Sequence, residues 1–211
     1  MNIIELQPEE LFFLAQQMKA EYIDYMYISA MKDISKKFAL HHKEWIDSLE
    51  KRNVICEDFD GNISIDLDVE NALKPVLFGE TEVSVGVCDV DSGVIEINNF
   101  HFLNDSITAV NLVGDKFVFE SISKVQFKEK IESRKRIAML GQDDNKEDSI
   151  EVADVRKILT IKYAAVNKDN RLEKYLITEN ATYCDGENDC LINLSQKTFD
   201  CMVSDVLKEV I

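Results

Sequence analysis

Basic residues, glycine and proline are scarce in this sequence. Its 211 residues include 24 lysines and arginines against 40 aspartates and glutamates, a formal net charge of −16, and only seven glycines and two prolines. Such an excess of acids argues against nucleic acid or an anionic membrane as the main partner, because basic surfaces bind both. The shortage of glycine argues against a glycine-rich phosphate loop. No apolar run approaches the roughly 18 residues of a transmembrane helix.

Apolar residues are plentiful, at 45% of the chain, which indicates a globular protein. The length suffices for one large domain or two small ones, with a core that needs neither disulfides nor a metal. Residues 1–6 lack the basic and apolar segments of a secretory signal, and the five cysteines are an odd number. We therefore expect a reduced, cytoplasmic protein without membrane insertion.

The segment 1–80 is predicted to be mainly helical. Pro8 suits the first position of a helix, and the two glutamates that follow it suit the first turn. Apolar residues at helical spacing predict a second helix that ends near Asn53. A short third helix is expected to begin after Asp66 or Asp68 and to end at Pro75.

Beyond residue 80 the apolar pattern takes the two-residue period of β-strands. Residues 82–87 alternate, and short turns separate further strands within 94–119, which favours antiparallel neighbours. A helix is predicted over 123–140, and residues 158–194 repeat the strand meander before a closing helix.

These patterns predict an α+β fold in a single domain, 1–211. Its central antiparallel sheet is expected to consist of two meander-plus-helix halves with pseudo-twofold symmetry, 81–141 and 152–211. The acidic, polar segment 142–151 is the predicted linker between the halves.

Three short motifs have simple structural interpretations. His41 and His42 are adjacent on a helix and point about 100° apart, so they do not face one metal ion, and a solvated helix face is the simpler interpretation. Residues 89–95 lack the ligand spacing of a calcium loop and are typical of a hairpin turn. Cys184 and Cys190 flank a turn, where they are either two reduced thiols or a disulfide pair. We predict no catalytic residues, cofactor or metal.

Charge is distributed unevenly along the chain. Residues 54–99 contain 11 acids and one base, Lys74. This segment is either a solvated face or an acidic docking surface for a basic partner. The opposite pattern occupies the predicted helix 123–140, whose basic residues are Lys124, Lys128, Lys130, Arg134, Lys135 and Arg136.

The N-terminal part of the chain, residues 6–87, resembles the EspG-like family. The matching segments are Leu6-Gln7-Pro8-Glu9-Glu10-Leu11, Leu49-Glu50-Lys51-Arg52-Asn53, Asp60-Gly61, Ile65-Asp66-Leu67-Asp68-Val69 and Glu82-Val83-Ser84-Val85. Asn53 stands where the family usually has glycine. The connection at residues 103–105 is shorter than the long loop with which some members contact their substrate. Low glycine content makes the chain more similar to the shorter, uncharacterised relatives of Firmicutes.

The resemblance implies a cytoplasmic chaperone or adaptor of a type VII secretion system, which binds a helical-hairpin secreted protein and performs no catalysis. Apolar residues near the 103–105 turn, Phe100, Phe102 and Leu103, are the predicted partner-binding residues, with core packing as the alternative role. The alternative function is an immunity protein whose acidity masks a basic secreted toxin. An enzyme is the third hypothesis. The sequence does not define the oligomeric state.

Overall fold

The structure is a computed structural model that describes residues 3–21, 23–24, 27, 29, 34–138, 140–141, 145–147, 150–166, 169–185 and 191–210. The chain divides into two compact units. The first comprises Met1–Gly79 and His101–Ser121, and the second comprises Glu80–Phe100 and Ile122–Ile211.

Helices and strands are both well represented in the described part of the chain. The α-helices are α1 (Pro8–Gln17), α2 (Ile34–Lys51), α3 (Leu67–Phe78), α4 (Lys124–Ser133) and α5 (Gln196–Val210). The strands are β1 (Ile3–Leu6), β2 (Ile55–Glu57), β3 (Ile63–Ile65), β4 (Thr81–Asp89), β5 (Ile95–Leu103), β6 (Ser106–Val113), β7 (Lys116–Ile122), β8 (Asn145–Glu147), β9 (Lys157–Ala165), β10 (Arg171–Ile177), β11 (Thr182–Asp185) and β12 (Leu191–Asn193). Short 3-10 helices cover Arg134–Ile137 and Val152–Asp154.

The first unit packs three helices on a sheet with strand order β1-β7-β6-β5. Its core includes Leu11 and Leu14 of α1, Leu73 of α3 and Phe119 of β7, all of them fully buried. The Thr108 hydroxyl of β6 donates a 2.7 Å hydrogen bond to the carbonyl of Ala72 on α3. Strands β2 and β3 form a separate antiparallel hairpin.

A buried carboxylate joins two segments on which the family resemblance rests. Glu10 of α1 is only 5% exposed, and its Oε1 lies 2.6 Å from Arg52 Nη2 and accepts a 3.0 Å hydrogen bond from the Ser48 hydroxyl. Its Oε2 accepts from the backbone N–H of Gln7, which closes the capping box of α1. Glu10 therefore holds the Leu6–Leu11 segment against the Leu49–Asn53 segment, because a buried charge needs a partner.

The second unit has the strand order β5-β4-β9-β10-β11-β12-β8. The β4–β9 and β9–β10 pairs are long antiparallel ladders. Helices α4 and α5 pack on one face of this sheet through two edge-to-face aromatic pairs. Phe127 of α4 lies 5.0 Å from Phe100, and Phe199 of α5 lies 5.3 Å from Tyr175, measured between ring centroids.

The α+β prediction with an antiparallel sheet is confirmed, while two helix boundaries are wrong. Helix α3 continues through Pro75 to Phe78, because burial of Val76 and Leu77 in the first unit's core offsets the hydrogen bond that proline cannot make. Helix α4 ends at Ser133, followed by one 3-10 turn, instead of extending to residue 140. The linker prediction 142–151 falls mostly outside the described residues.

Candidate functional site

Strands β4, β9 and β10 of the second unit have two chemically different faces. Directly paired residues in an antiparallel ladder share a face, and successive residues alternate between faces. One face consists of the paired rows Val85–Ile161–Glu173 and Val87–Leu159–Tyr175. The other face consists of the paired rows Glu82–Ala164, Ser84–Lys162–Leu172, Gly86–Thr160–Lys174 and Cys88–Ile158–Leu176.

Helices α4 and α5 cover the first of these faces. Val85, Leu159 and Tyr175 are at most 1% exposed, and Tyr175 contacts Phe199 of α5. The residues of the second face are half-buried or exposed, so within the described chain no layer of helices encloses them. We call this second face the open sheet face. Its members are Glu82, Ser84, Gly86, Cys88, Ile158, Thr160, Lys162, Ala164, Leu172, Lys174 and Leu176.

The open sheet face combines positive charge with an exposed apolar side chain. Lys162 and Lys174 are both exposed, and Leu172 is 67% exposed. Lys162 pairs with Leu172, whereas Lys174 pairs with Thr160, which makes the two lysines diagonal neighbours on adjacent strands. Diagonal neighbours lie about 7 Å apart. Glu82 of β4 is a diagonal neighbour of Lys162 on the same face, and its Oε1 accepts a 2.7 Å hydrogen bond from the Ser84 hydroxyl. Two lysines thus accompany one carboxylate among these members, so a protein with a net charge of −16 presents a small, net basic and apolar patch here.

The side chains at the centre of the open sheet face are small, so they project little above the backbone of the sheet. Gly86 of β4 lies opposite Thr160 of β9, and a Cβ atom built on Gly86 would come within 2.7 Å of the Thr160 hydroxyl oxygen. The Thr160 hydroxyl thus occupies the space above Gly86 and lies 3.4 Å from its carbonyl oxygen. Glycine within a strand often marks a place where another backbone approaches closely.

Tyr175 and Glu173 lie on the covered face, behind the open one. The Tyr175 hydroxyl donates a hydrogen bond to Glu173 Oε2, and Arg171 Nη2 lies 2.5 Å from Glu173 Oε1. Burial first, and then the Glu173 carboxylate, raise the pKa of the Tyr175 hydroxyl well above its usual range. Tyr175 is fully buried and stays protonated, so it acts as a structural hydrogen-bond donor.

The structure buries two of the three residues that the sequence suggested for partner binding. Phe100 is 2% exposed and packs on Phe127 of α4, and Phe102 is 7% exposed. Both are where the core-packing alternative places them. Leu103 ends β5 and is half-buried. Their contact with a partner stays a prediction.

The other short motifs have local roles. His41 Nδ1 lies 3.0 Å from Glu44 Oε2 on an exposed face of α2. Asp89 Oδ1 accepts hydrogen bonds from the backbone N–H and the hydroxyl of Ser92, which lower the pKa of the Asp89 carboxyl. The prediction of a hairpin turn there is confirmed. Cys184 is buried on β11, and its suggested partner Cys190 lies outside the described residues.

The described residues contain neither a metal-ligand cluster nor a membrane-spanning helix. Among the described residues, no group of three or more His, Cys, Asp or Glu side chains is arranged to hold a metal ion. No helix in the described part of the chain is long and apolar enough to cross a membrane.

Sequence reasoning missed the open sheet face, although a signal for it was present. In β4, Ser84 and Gly86 alternate with buried valines, and in β9, Thr160 and Lys162 alternate with buried Leu159 and Ile161. This alternation identifies a half-buried sheet. Alternation alone does not reveal which strands are neighbours, so the two lysines come together only through the β9–β10 register.

No protein-family model and no curated protein matches the chain. The fold is nevertheless similar to that of a solved type VII secretion chaperone. That solved structure is the Mycobacterium tuberculosis chaperone EspG5 in complex with the PE25–PPE41 dimer. The similarity covers 99% of this chain and 95% of that chain, with a TM-score of 0.63 and 6% sequence identity. At this identity the likeness establishes an EspG-like α+β fold, which is the fold that the sequence resemblance implied.

Proposed function

We propose that this protein is a cytoplasmic adaptor or chaperone that binds a helical segment of a secreted protein, as a component of a type VII secretion system. The open sheet face carries this proposal, because it is the uncovered face of a sheet whose opposite face already holds two helices. The fold similarity to EspG5, which was solved in complex with the PE25–PPE41 dimer, supports the same function. Binding of this kind requires no catalytic residue.

The chemistry of the open sheet face favours a helix with one acidic and apolar side. Acidic residues four positions apart on a helix have Cβ atoms about 5–6 Å apart, which flexible lysine side chains about 7 Å apart can reach. The apolar side chain of Leu172 and the short side chain of Thr160 would contact the rest of the helix surface. Lys162 and Lys174 would contribute orientation and association rate more than affinity, because their ion pairs are solvent-exposed.

The test is co-expression with the helical proteins encoded beside this gene, followed by size-exclusion chromatography and calorimetry. We expect one of them to form a stable complex with this chain. The double variant Lys162→Glu, Lys174→Glu should weaken binding about 10-fold or more, because two attractive contacts become repulsive. The matched control Lys43→Glu reverses an exposed lysine of α2 and should bind as the wild type does. Absence of any such partner, or equal binding by the double variant, would contradict the proposal.

The alternative function, an immunity protein for a basic toxin, draws on the acidic surface of the first unit. Glu57, Asp58 and Asp60 are all exposed around the β2–β3 hairpin. Co-expression with a neighbouring toxin gene separates the two functions. Protection of the cells, abolished by lysine substitutions at the hairpin and unaffected at the open sheet face, would favour immunity over chaperone activity.

A further inference from the structure

The β2–β3 hairpin of the first unit carries an aromatic side chain that the described chain leaves in solvent. Phe59 lies in the five-residue loop 58–62, and its side chain is fully exposed. Burying a phenylalanine side chain gains about as much free energy as burying a large aliphatic one. The backbone of a turn does not require an aromatic residue at its tip. A partner that buried the Phe59 side chain would therefore gain binding free energy.

The loop that carries Phe59 is held in one conformation by a single carboxylate. Asp58 Oδ1 accepts hydrogen bonds from the backbone N–H groups of Asp60, at 2.9 Å, and Asn62, at 2.8 Å. Asp58 Oδ2 accepts a third, at 2.8 Å, from the Asn62 side chain. Gly61 adopts a φ of +80°, which completes the turn, and its N–H donates to the Asp58 carbonyl. These bonds lower the pKa of the Asp58 carboxyl, so it stays ionised at neutral pH.

The base of the hairpin is anchored in the core of the first unit. Ile55 is 4% exposed, and Ile63 and Ile65 are half-buried against the same core. The backbone N–H of Glu57 also donates to Glu50 Oε1 of α2, at 3.1 Å. An anchored base and a hydrogen-bonded tip present Phe59 in a fixed position. Fixing an anchor before binding removes part of the entropy cost of association.

The charges around Phe59 define the chemistry of what it meets. Glu57, Asp58 and Asp60 are exposed acids, and no lysine or arginine occurs in the loop 58–62. A partner with acidic residues around its pocket would be repelled, whereas lysines and arginines around an apolar pocket would be attracted. The open sheet face has the opposite sign, since Lys162 and Lys174 favour an acidic helix there. The two surfaces therefore select different partners.

We propose that the tip of the β2–β3 hairpin is a second docking element, in which Phe59 inserts into an apolar pocket of another protein whose rim carries lysine or arginine. An adaptor with two surfaces of opposite sign can hold an acidic helical cargo on one and attach to a basic receptor protein with the other. Loss of the Phe59 side chain should weaken receptor binding about 10- to 100-fold, which is the effect of removing one buried aromatic anchor.

The first experiment uses the full chain with p-benzoylphenylalanine in place of Phe59, photo-activated in the native host. The expected result is a discrete adduct with a different protein, whose attachment site, mapped by mass spectrometry, is apolar and flanked by lysine or arginine. The same photo-reactive residue in place of Leu40, which is 77% exposed on α2, is the matched control and should not give this adduct. An adduct with a second copy of this chain, a lipid adduct, an acidic attachment site or no discrete adduct would each overturn the proposal.

The second experiment measures affinity for the protein identified in this way. Phe59→Ser should weaken binding about 10- to 100-fold, and Leu40→Ser should have no effect. Asp60→Lys should also weaken binding, by a larger factor at low salt than at high salt. The Asp60 carboxylate makes no described contact that the turn requires, and thermal melting verifies that all three variants fold. Equal binding by Phe59→Ser would overturn the proposal. Cargo binding at the open sheet face is measured separately on Phe59→Ser, so the two functions fail or succeed independently.

Discussion

At the scale of single residues, the hydrogen bond between Tyr175 and Glu173 couples stability to pH. Tyr175 is fully buried, and its hydroxyl donates to a carboxylate that is 9% exposed. An ionised Tyr175 would place a second negative charge beside the Glu173 carboxylate in a largely buried site. The folded protein therefore holds this hydroxyl protonated at pH values where the unfolded chain releases the proton.

This arrangement predicts an alkaline loss of stability that depends on Tyr175. The pKa of the hydroxyl is raised on folding, so its contribution is complete below the unfolded value near 10 and falls as pH rises above it. We expect the free energy of unfolding of the wild type to exceed that of Tyr175→Phe at pH 9. The difference should shrink by about 1 kcal/mol by pH 11, measured by urea unfolding. A difference that stays constant over this range would show that Tyr175 ionises equally well in the folded state.

At the scale of elements, helix α2 ends in a cap formed at Asn53, a position where the EspG-like family that the N-terminal segment resembles usually has glycine. Asn53 adopts a φ of +56° in the left-handed region. Its N–H donates to the carbonyl of Glu50, and the N–H of Val54 donates to that of Leu49. These two bonds form a Schellman cap, with buried Leu49 and Val54 as its apolar pair. Asparagine is one of the few residues other than glycine that occupies this conformation readily.

The cap predicts a specific order of stability among substitutions at Asn53. Asn53→Gly should lie within about 0.5 kcal/mol of the wild type, because glycine accepts a positive φ without steric cost. Asn53→Ala should destabilise by about 1 kcal/mol, since its Cβ is crowded in the left-handed region. Chemical unfolding of both variants tests this, with Lys43→Ala, an exposed site within α2, as the control. Equal losses for glycine and alanine would show that the backbone angle is not what matters.

The elements also show which structural features the sequence patterns predict. The alternation over 82–87 correctly predicted a half-buried strand, and the turn at 89–95 was correct in kind. The sequence allows two roles for Phe100 and Phe102, partner contact and core packing, because apolar residues at the end of a strand can have either one. For Phe100, the choice between these roles depends on α4, whose Phe127 packs on it. A helix that begins 21 residues after the end of β5 leaves no mark on the local pattern of that strand.

At the scale of the whole molecule, the excess of acidic residues produces charge repulsion within the folded chain. The formal net charge is −16, and many acids of the segment 54–99 are exposed. Net charge far from zero destabilises the compact state by self-repulsion. Ion pairs such as Arg134 with Glu96, at 3.4 Å, offset only part of this, since exposed pairs contribute little.

Screening should therefore stabilise the folded chain. Raising sodium chloride from about 10 mM to about 200 mM shortens the Debye length from about 30 Å to below 10 Å. We expect the midpoint of urea unfolding to rise, with a gain in stability on the order of 1 kcal/mol. The triple variant Glu80→Gln, Asp115→Asn, Asp169→Asn removes three exposed acids and should show a smaller salt effect. A decrease in stability with salt would mean that attractive ion pairs outweigh the repulsion.

The sequence alone determined the α+β class, the antiparallel meander and the acidic character of this protein. Those properties follow from local periodicity, short turns and composition, which are independent of distant contacts. The tertiary structure decided where Phe100 and Phe102 lie, and it brought Lys162 and Lys174 together on the open sheet face. These outcomes depend on strand register and on which face of the sheet the helices cover. Both arise from packing between segments far apart in the chain.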